Sequence, residues 1–305
     1  MTPGKGGSDV HDQRLTPREI AALAAIVLIW GVNNAAAEVA TDVLPPLLVG
    51  ALRFAIAAVF LVPFVRPPFP DPKMLALLVI CGGPVHFALV YIGFSLTEDL
   101  SPYAVSLQLW IPFTALFAWL LLKETLTRAA MLGLVIAFGG VVFMTADPRA
   151  LRDWDAIAIG VLASAFWALA TVVARRTSKV PPLKLQGMLA LTAAPTLGLG
   201  AFLFEGDVPA ALARATPMAW AAITFGALIS TVVATGLLFW LVQRREAGRV
   251  TPYLLTTPLV SIALGVAFLG DVLTPQIILG ALATIGGVAV VAIAERGLRA
   301  GASRS

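Results

Sequence analysis

Residues 101–142 read "SPYAVSLQLWIPFTALFAWLLLKETLTRAAMLGLVIAFGGVV", and residues 251–290 read "TPYLLTTPLVSIALGVAFLGDVLTPQIILGALATIGGVAV". Each opens on a hydroxyl residue, a proline and a tyrosine. Each then runs through an apolar stretch to an acid and on to spaced glycines. With one small gap, Glu124 matches Asp271, Thr127 matches Thr274, Gly133 matches Gly280, and Gly139-Gly140-Val141 matches Gly286-Gly287-Val288. A weaker echo, "IWGVNNAAAEVA" against "FWALATVVARR", sets Trp30 opposite Trp167. Two apolar helices alike by chance would not share the acid, the threonine and the glycine spacing. One pattern is written twice, half a chain apart.

The chain of 305 residues is 59% apolar and 12% charged, where a soluble domain carries about 25% charged residues. It lacks the polar surface to wrap a water-soluble globule, so its solvent is lipid. A bilayer core needs about 20 apolar residues per helix. Runs of that kind fall near 20–39, 46–65, 74–96, 102–122, 129–146, 156–174, 183–204, 218–242, 252–269 and 276–294. The expected fold is therefore all-α and integral to the membrane, with ten transmembrane helices in two five-helix repeats, 19–146 and 153–294, between polar tails 1–18 and 295–305. An odd number of spans per repeat starts the second copy on the opposite side, so the repeats are inverted. Inverted repeats mark secondary transporters, whose substrate sits near the midplane between them. The first span also offers small-residue cleavage sites in "NNAAAEVA", but its apolar core is long for a signal peptide, and the repeat requires it.

Cytoplasmic loops carry an excess of Lys and Arg. With the N-terminus inside, 17 of the 21 cations lie in cytoplasmic segments, among them Lys123, Arg128, Arg175, Arg176, Arg244 and Arg245. Only Arg149, Arg152 and Arg214 fall outside, and Arg53 lies within the second span. Both termini are expected in the cytoplasm, and the protein in the inner membrane of a bacterium. The cations form no single patch, so nucleic acid is not an expected partner. The lone Cys81 rules out an internal disulfide framework and a cysteine metal cluster, and no cofactor or metal is expected. No GxxxxGK[ST], HExxH or GxSxG pattern occurs. That argues against ATP use and against the runner-up reading, a multi-span membrane enzyme. A non-transporting scaffold or sensor comes third. Oligomeric state is not legible.

Seven tryptophans sort by depth. Trp154, Trp220, Trp119 and Trp240 fall near span ends, as interfacial belts require. Trp30, Trp110 and Trp167 lie roughly 12–16 Å deep, and three at matching depth favour a cavity lining over simple packing. Polar groups cluster at similar depth: Asn33 and Asn34 share a face with Trp30, and His86, Phe87 and Tyr91 lie on the third span. Gln108 and Ser164 join them. For each, an interhelical hydrogen bond is the alternative to substrate contact. His86 is a packed residue, a substrate contact or a titrating group. Gln108 and Trp110 point about 200° apart on a regular helix. Pro112 cannot donate to the Gln108 carbonyl, so local unwinding there would turn both inward. Pro84 and Pro258 are, with Pro112, the candidate helix hinges. Arg53 is the candidate contact for a substrate carboxylate, with snorkelling or a pair to Glu38 as alternatives, the pair being favoured. No acid lies clearly near a midplane, and Glu38 comes closest. This favours facilitated diffusion or exchange, with His86 the one candidate proton site.

The whole of 20–294 resembles the drug/metabolite transporter superfamily, EamA-type. The resemblance rests on Trp30-Gly31, Arg53-Phe54, the spacing from Pro112 to Glu124 and from Pro258 to Asp271, and the glycines of both repeats. Asp271 departs from the usual Glu. Trp30, Trp110 and Trp167 make the chain similar to the bacterial aromatic amino-acid exporters. The resemblance implies a ten-span alternating-access carrier. Aromatic faces, neutral amides and little deep charge suit a small, neutral-overall amphipathic partner, an aromatic or apolar amino acid or similar metabolite.

Overall fold

The computed structural model describes residues 16–69, 71–176, 180–242 and 253–302. Among these the regular structure is helical throughout, with nine helices long and apolar enough to cross a membrane and one shorter apolar helix. In chain order they are α1 (Pro17–Thr41), α2 (Pro46–Phe64), α3 (Pro72–Leu96), α4 (Leu100–Leu122) and α5 (Arg128–Thr145). The second half follows with α6 (Trp154–Arg176), α7 (Pro182–Phe204), α8 (Pro217–Leu238), the short α9 (Thr257–Leu269) and α10 (Pro275–Ala302).

The duplicated stretch has one local design. The first copy of its helix ends on Lys123 in the left-handed conformation, φ 56°, and the second on Gly270, φ 89°. The acid comes next, and three residues later the matched threonine starts the following helix. Thr127 Oγ1 accepts from the Ala130 N–H at 3.0 Å, and Thr274 Oγ1 from the Ile277 N–H at 3.2 Å. Each threonine is an N-cap, satisfying an orphan donor.

The most extensive helix pairings are α5 with α10 and α2 with α7, each helix against its own repeat mate. In α5–α10 the contact is reciprocal. A Cβ on Gly133 would stand 2.8 Å from the Gly287 carbonyl oxygen, and one on Gly287 would stand 2.7 Å from that of Gly133. Gly140 and Gly280 repeat the relation at 2.7 and 2.8 Å. Rising numbers on α5 meet falling numbers on α10, so the mates are antiparallel and the repeats inverted. Small residues there let two backbones touch, the dominant way to pack helices in lipid. α2 and α7 run antiparallel too, with Gly50 against Leu197 and Gly187 against Leu61.

Two boundaries differ from expectation. α10 continues as helix through Ala302: the segment 295–302 holds no proline, and Glu295, Arg296, Leu298, Arg299 and Ala300 are good helix formers that carry it past the apolar run despite Gly297 and Gly301. α9 is short, and the turn Leu255–Thr256 separates it from the helical residues Tyr253 and Leu254. Residues 1–15 of the expected N-terminal tail, and Thr251 and Pro252 of the second tripeptide, lie outside the described residues.

Candidate functional site

Arg53 sits two turns inside α2 and is only 7% exposed. It does not pair with Glu38. Its Nε–H and one Nη2–H donate to Thr231 Oγ1 at 3.1 and 3.0 Å, the other Nη2–H to Ser230 Oγ at 3.4 Å, and one Nη1–H to the Tyr91 hydroxyl at 2.9 Å. These four bonds leave one of the five guanidinium hydrogens without an acceptor among the described residues. The rings of Phe54 and Phe87 each lie 5.8 Å from the guanidinium carbon, within cation–π range. The favoured sequence reading therefore fails for a geometric reason: hydroxyls of α8 and α3 take the side chain before it can reach α1.

A local irregularity in α8 supplies those hydroxyls. Residues Phe225–Ala234 form a π-helical segment, and Thr231 donates to the Gly226 carbonyl five residues back at 2.9 Å. The wider turn aims Ser230 and Thr231 together at α2. Such segments are frequent at functional sites. A Cβ on Gly226 would lie 3.2 Å from Asn33 Oδ1 and 3.5 Å from Arg53 Cδ, so Gly226 keeps α8 close to both. Asn33 is half-buried, and its amide makes no hydrogen bond among the described residues.

α3 and α6 supply an aromatic wall. His86 Nδ1 lies 2.8 Å from the Ala163 carbonyl oxygen. A carbonyl only accepts, so Nδ1 carries a proton and donates it to Ala163. The His86 ring lies 4.9 Å from that of Trp167 and 4.7 Å from that of Phe87, and Phe87 sits edge-on to Phe54 at 4.5 Å. Pro84 breaks α3 just below, in a π-helical turn over Cys81–Val85 where Gly83 adopts φ −103° and ψ −106°.

Direct contacts thus join Arg53, Phe87, Tyr91, His86 and Trp167, with Asn33 adjacent across Gly226. The other candidates sit elsewhere. Trp30 packs, as Leu237, Leu238 and Leu254 do, against a cluster of Ala22, Leu23, Ile26 and Leu241. Trp110 packs against the core between α4, α5 and α10. Gln108 is half-buried in a 3₁₀ turn, Leu107–Leu109, where Pro112 interrupts the helical ladder. The turn is tightened rather than unwound. Ser164 is 1% exposed and donates to the carbonyls of Leu107 and Ser106 at 2.9 and 3.3 Å. Its hydroxyl is spent on the interrupted turn of α4. Pro258 stands in the first turn of α9, where a proline costs no hydrogen bond.

Thr231 and Ser230, the partners of Arg53, carry no signal in the sequence, since hydroxyls occur in several spans. The acids at one end of the bundle were legible only as helix ends. Asp271, 5% exposed, accepts from the Leu100 N–H at 3.0 Å, the Ser101 N–H at 2.7 Å and the Ser101 hydroxyl, and so caps the "SPY" helix from the other repeat. Asp153 accepts from the N–H groups of Glu98 and Asp99 at 2.9 and 3.0 Å, and Asp147 from the Thr274 hydroxyl at 2.6 Å. Burial raises the pKa values of Asp153 and Asp99, while the Thr274 hydrogen bond lowers that of Asp147. Three loops are thereby tied together at this end. Beneath them Glu38 is 6% exposed, and its Oε2 has no donor among the described residues.

The model of the EamA-like transporter family matches residues 18–146 and again 154–293. A "Probable amino-acid metabolite efflux pump" of Salmonella typhimurium is 27% identical over 276 residues, covering 86% of this chain and 91% of that one. An uncharacterized transporter of Bacillus subtilis, YvbV, is 30% identical over 300 residues, covering 92% and 93%. A protein of Escherichia coli with the same efflux-pump name is 25% identical over 275 residues, covering 86% and 91%. A solved crystal structure superposes with a TM-score of 0.63 at 19% identity, over 92% of this chain and 98% of that one.

Proposed function

The chain belongs to the EamA-like transporter family, and from that premise we propose that it exports small, neutral-overall amphipathic metabolites, aromatic or apolar amino acids first. It is a multi-pass membrane transporter and not an enzyme. In the proposed cycle the two repeats alternate access to a site between them, across a bacterial inner membrane, with both termini in the cytoplasm. The observation that carries the solute class is the guanidinium of Arg53. It is a buried cation whose partners are neutral hydroxyls, with one N–H unspent, beside the wall of His86, Phe87 and Trp167. A solute carboxylate would neutralise it, and an apolar or aromatic side chain would lie on that wall. Charged partners are what buried cations in membranes normally have. The efflux-pump names of two relatives agree with the solute class.

Counterflow into liposomes, with a panel of amino acids and their decarboxylated amines, tests this. Arg53→Gln is expected to weaken amino-acid counterflow about 10- to 100-fold, the worth of a charge-assisted bond, and to leave the matching amines unaffected. Arg53→Lys is expected to be intermediate, since it keeps the charge without the fork. Trp167→Ala should lose more than Trp110→Ala. Equal transport by wild type and Arg53→Gln would remove the carboxylate assignment.

A further inference from the structure

Glu38 lies four residues beyond Asn34 on α1, and hence on the same face. Asn34 donates to Ser261 Oγ of α9 at 3.0 Å, so that face looks into the bundle. The carboxyl of Glu38 is closed off from water at Oε2 and receives no hydrogen bond among the described residues. The charged groups that act on it are all acids: Asp42 just after α1, Asp271 after α9, Asp99 before α4 and Asp153 before α6. Those in the latched loops, Asp271, Asp153 and Asp99, spend oxygens on backbone N–H groups. The described residues of α8 and α9 carry no titratable side chain. Arg53 of α2 is turned toward Thr231, Ser230 and Tyr91, and His86 of α3 donates to the Ala163 carbonyl.

An ionised carboxylate in that position would carry a desolvation cost of several kcal/mol with nothing to offset it. We propose that Glu38 is the proton-carrying group of the transport cycle, loaded from the acid-bearing face and holding its proton whenever the three loops above it are closed. When the loops part, water reaches the carboxyl, and the proton passes between a carboxyl oxygen and that water. With Glu38 ionised, its charge beneath Asp271, Asp99 and Asp153 opposes closure. Protonation from that face permits closure, and the closed protein carries the proton toward the opposite face, where its release completes the exchange against solute. Transport would then be proton-linked, in contrast to the uncoupled movement expected from a lack of deep carboxylates. The coupling part of this inference rests on the transporter reading above.

Two measurements on the full-length protein in lipid separate the parts. Infrared difference spectra across pH need no solute. Wild type is expected to show a protonated carboxyl stretch that Glu38→Gln lacks, and identical spectra for the two proteins would overturn the proposal. In proteoliposomes with labelled phenylalanine as probe, a gradient of one pH unit is expected to drive up to about tenfold accumulation at one proton per solute. Glu38→Gln is expected to keep counterflow but to accumulate nothing. If Glu38→Gln still accumulates phenylalanine, or wild type exchanges it yet ignores the gradient, the proposal is overturned. If wild type exchanges no amino acid at all, the solute assignment fails, while the spectra still decide the proton site. Should Glu38→Gln not reconstitute, Glu38→Asp is expected to retain band and coupling with a displaced pH midpoint, and an unmoved midpoint counts against the site.

Discussion

Replacing Asp271 by Asn tests how the two repeats are joined. The aspartate accepts two backbone N–H groups and the hydroxyl of Ser101 at the start of α4, almost wholly out of solvent. Asn keeps one acceptor oxygen but turns an NH₂ group toward donors that are then unsatisfied. A hydrogen bond to a charged group contributes about 1.5–3 kcal/mol, and a lost N-cap costs about 0.5–2 kcal/mol. A loss of about 3 kcal/mol is therefore expected, a fall in Tm of roughly 6–12 °C. Asp271→Glu is expected not to rescue. The carboxylate already presses on Gly265, where an added Cβ would lie 2.6 Å from Asp271 Cγ, so the longer acid has no room. Gly265→Ala should cost as much, through the same contact. The assay is thermal unfolding in detergent followed by tryptophan fluorescence, with a cycle against Ser101→Ala to isolate the pair. If Asp271→Asn stays within about 0.5 kcal/mol of wild type, the normal range for surface substitutions, the capping argument is wrong.

The α5–α10 contact predicts a contrast within each Gly-Gly pair. Gly140→Ala and Gly287→Ala are each expected to destabilise by about 1–3 kcal/mol. Gly139→Ala and Gly286→Ala, whose Cβ positions meet nothing within 4 Å, should be neutral or stabilise by roughly 0.5–1 kcal/mol. Unfolding in detergent distinguishes them. The lowered pKa of Asp147 implies stability that is full above the ordinary Asp value of about 3.9 and lost as pH falls toward the folded value. Asp147→Asn and Thr274→Val should each flatten that acid limb of a Tm-against-pH curve. Ser164→Ala should cost about 1 kcal/mol and leave counterflow affinity unchanged. A change in affinity without a change in stability would return Ser164 to the site.

The parts of the fold visible in the sequence were those that obey local rules. The acid, the threonine N-cap and the glycines sit at fixed spacing because one residue ends a helix, one starts the next, and small residues set helix approach. The parts that were hidden depend on rotation of one helix against another. These spans are apolar on most sides, so no hydrophobic face announces which way Arg53 turns. Its partners Thr231 and Ser230 lie 178 and 177 residues away and owe their aim to a π-helical segment that composition does not mark. Trp30, Trp110 and Trp167 share a depth, which is a property of position along a helix. Only Trp167 joins the aromatic wall, which is a property of angle around it.

The departures from symmetry matter more for function than the symmetry. The elements that repeat faithfully, the threonine caps and the paired glycines, are scaffold, and they fit both halves because both do the same mechanical work. The residues with chemistry do not repeat. The turn of α7 matching Arg53 is Leu189–Ala190, which is apolar, and the echo that pairs Trp30 with Trp167 sets Asn33 opposite Ala170 and Glu38 opposite Arg175. A carrier with two identical gates would respond alike to protons from either side. Here an acid stands in one repeat where the other has the cation Arg175, so on the proposal above a proton on Glu38 would bias closure of one gate without acting equally on the other. An inverted repeat supplies two interchangeable conformations, and unequal chemistry at the mated positions is what lets a gradient select between them. On this argument Glu38→Gln should change the driving force of transport more than its solute preference, and Arg53→Gln the reverse.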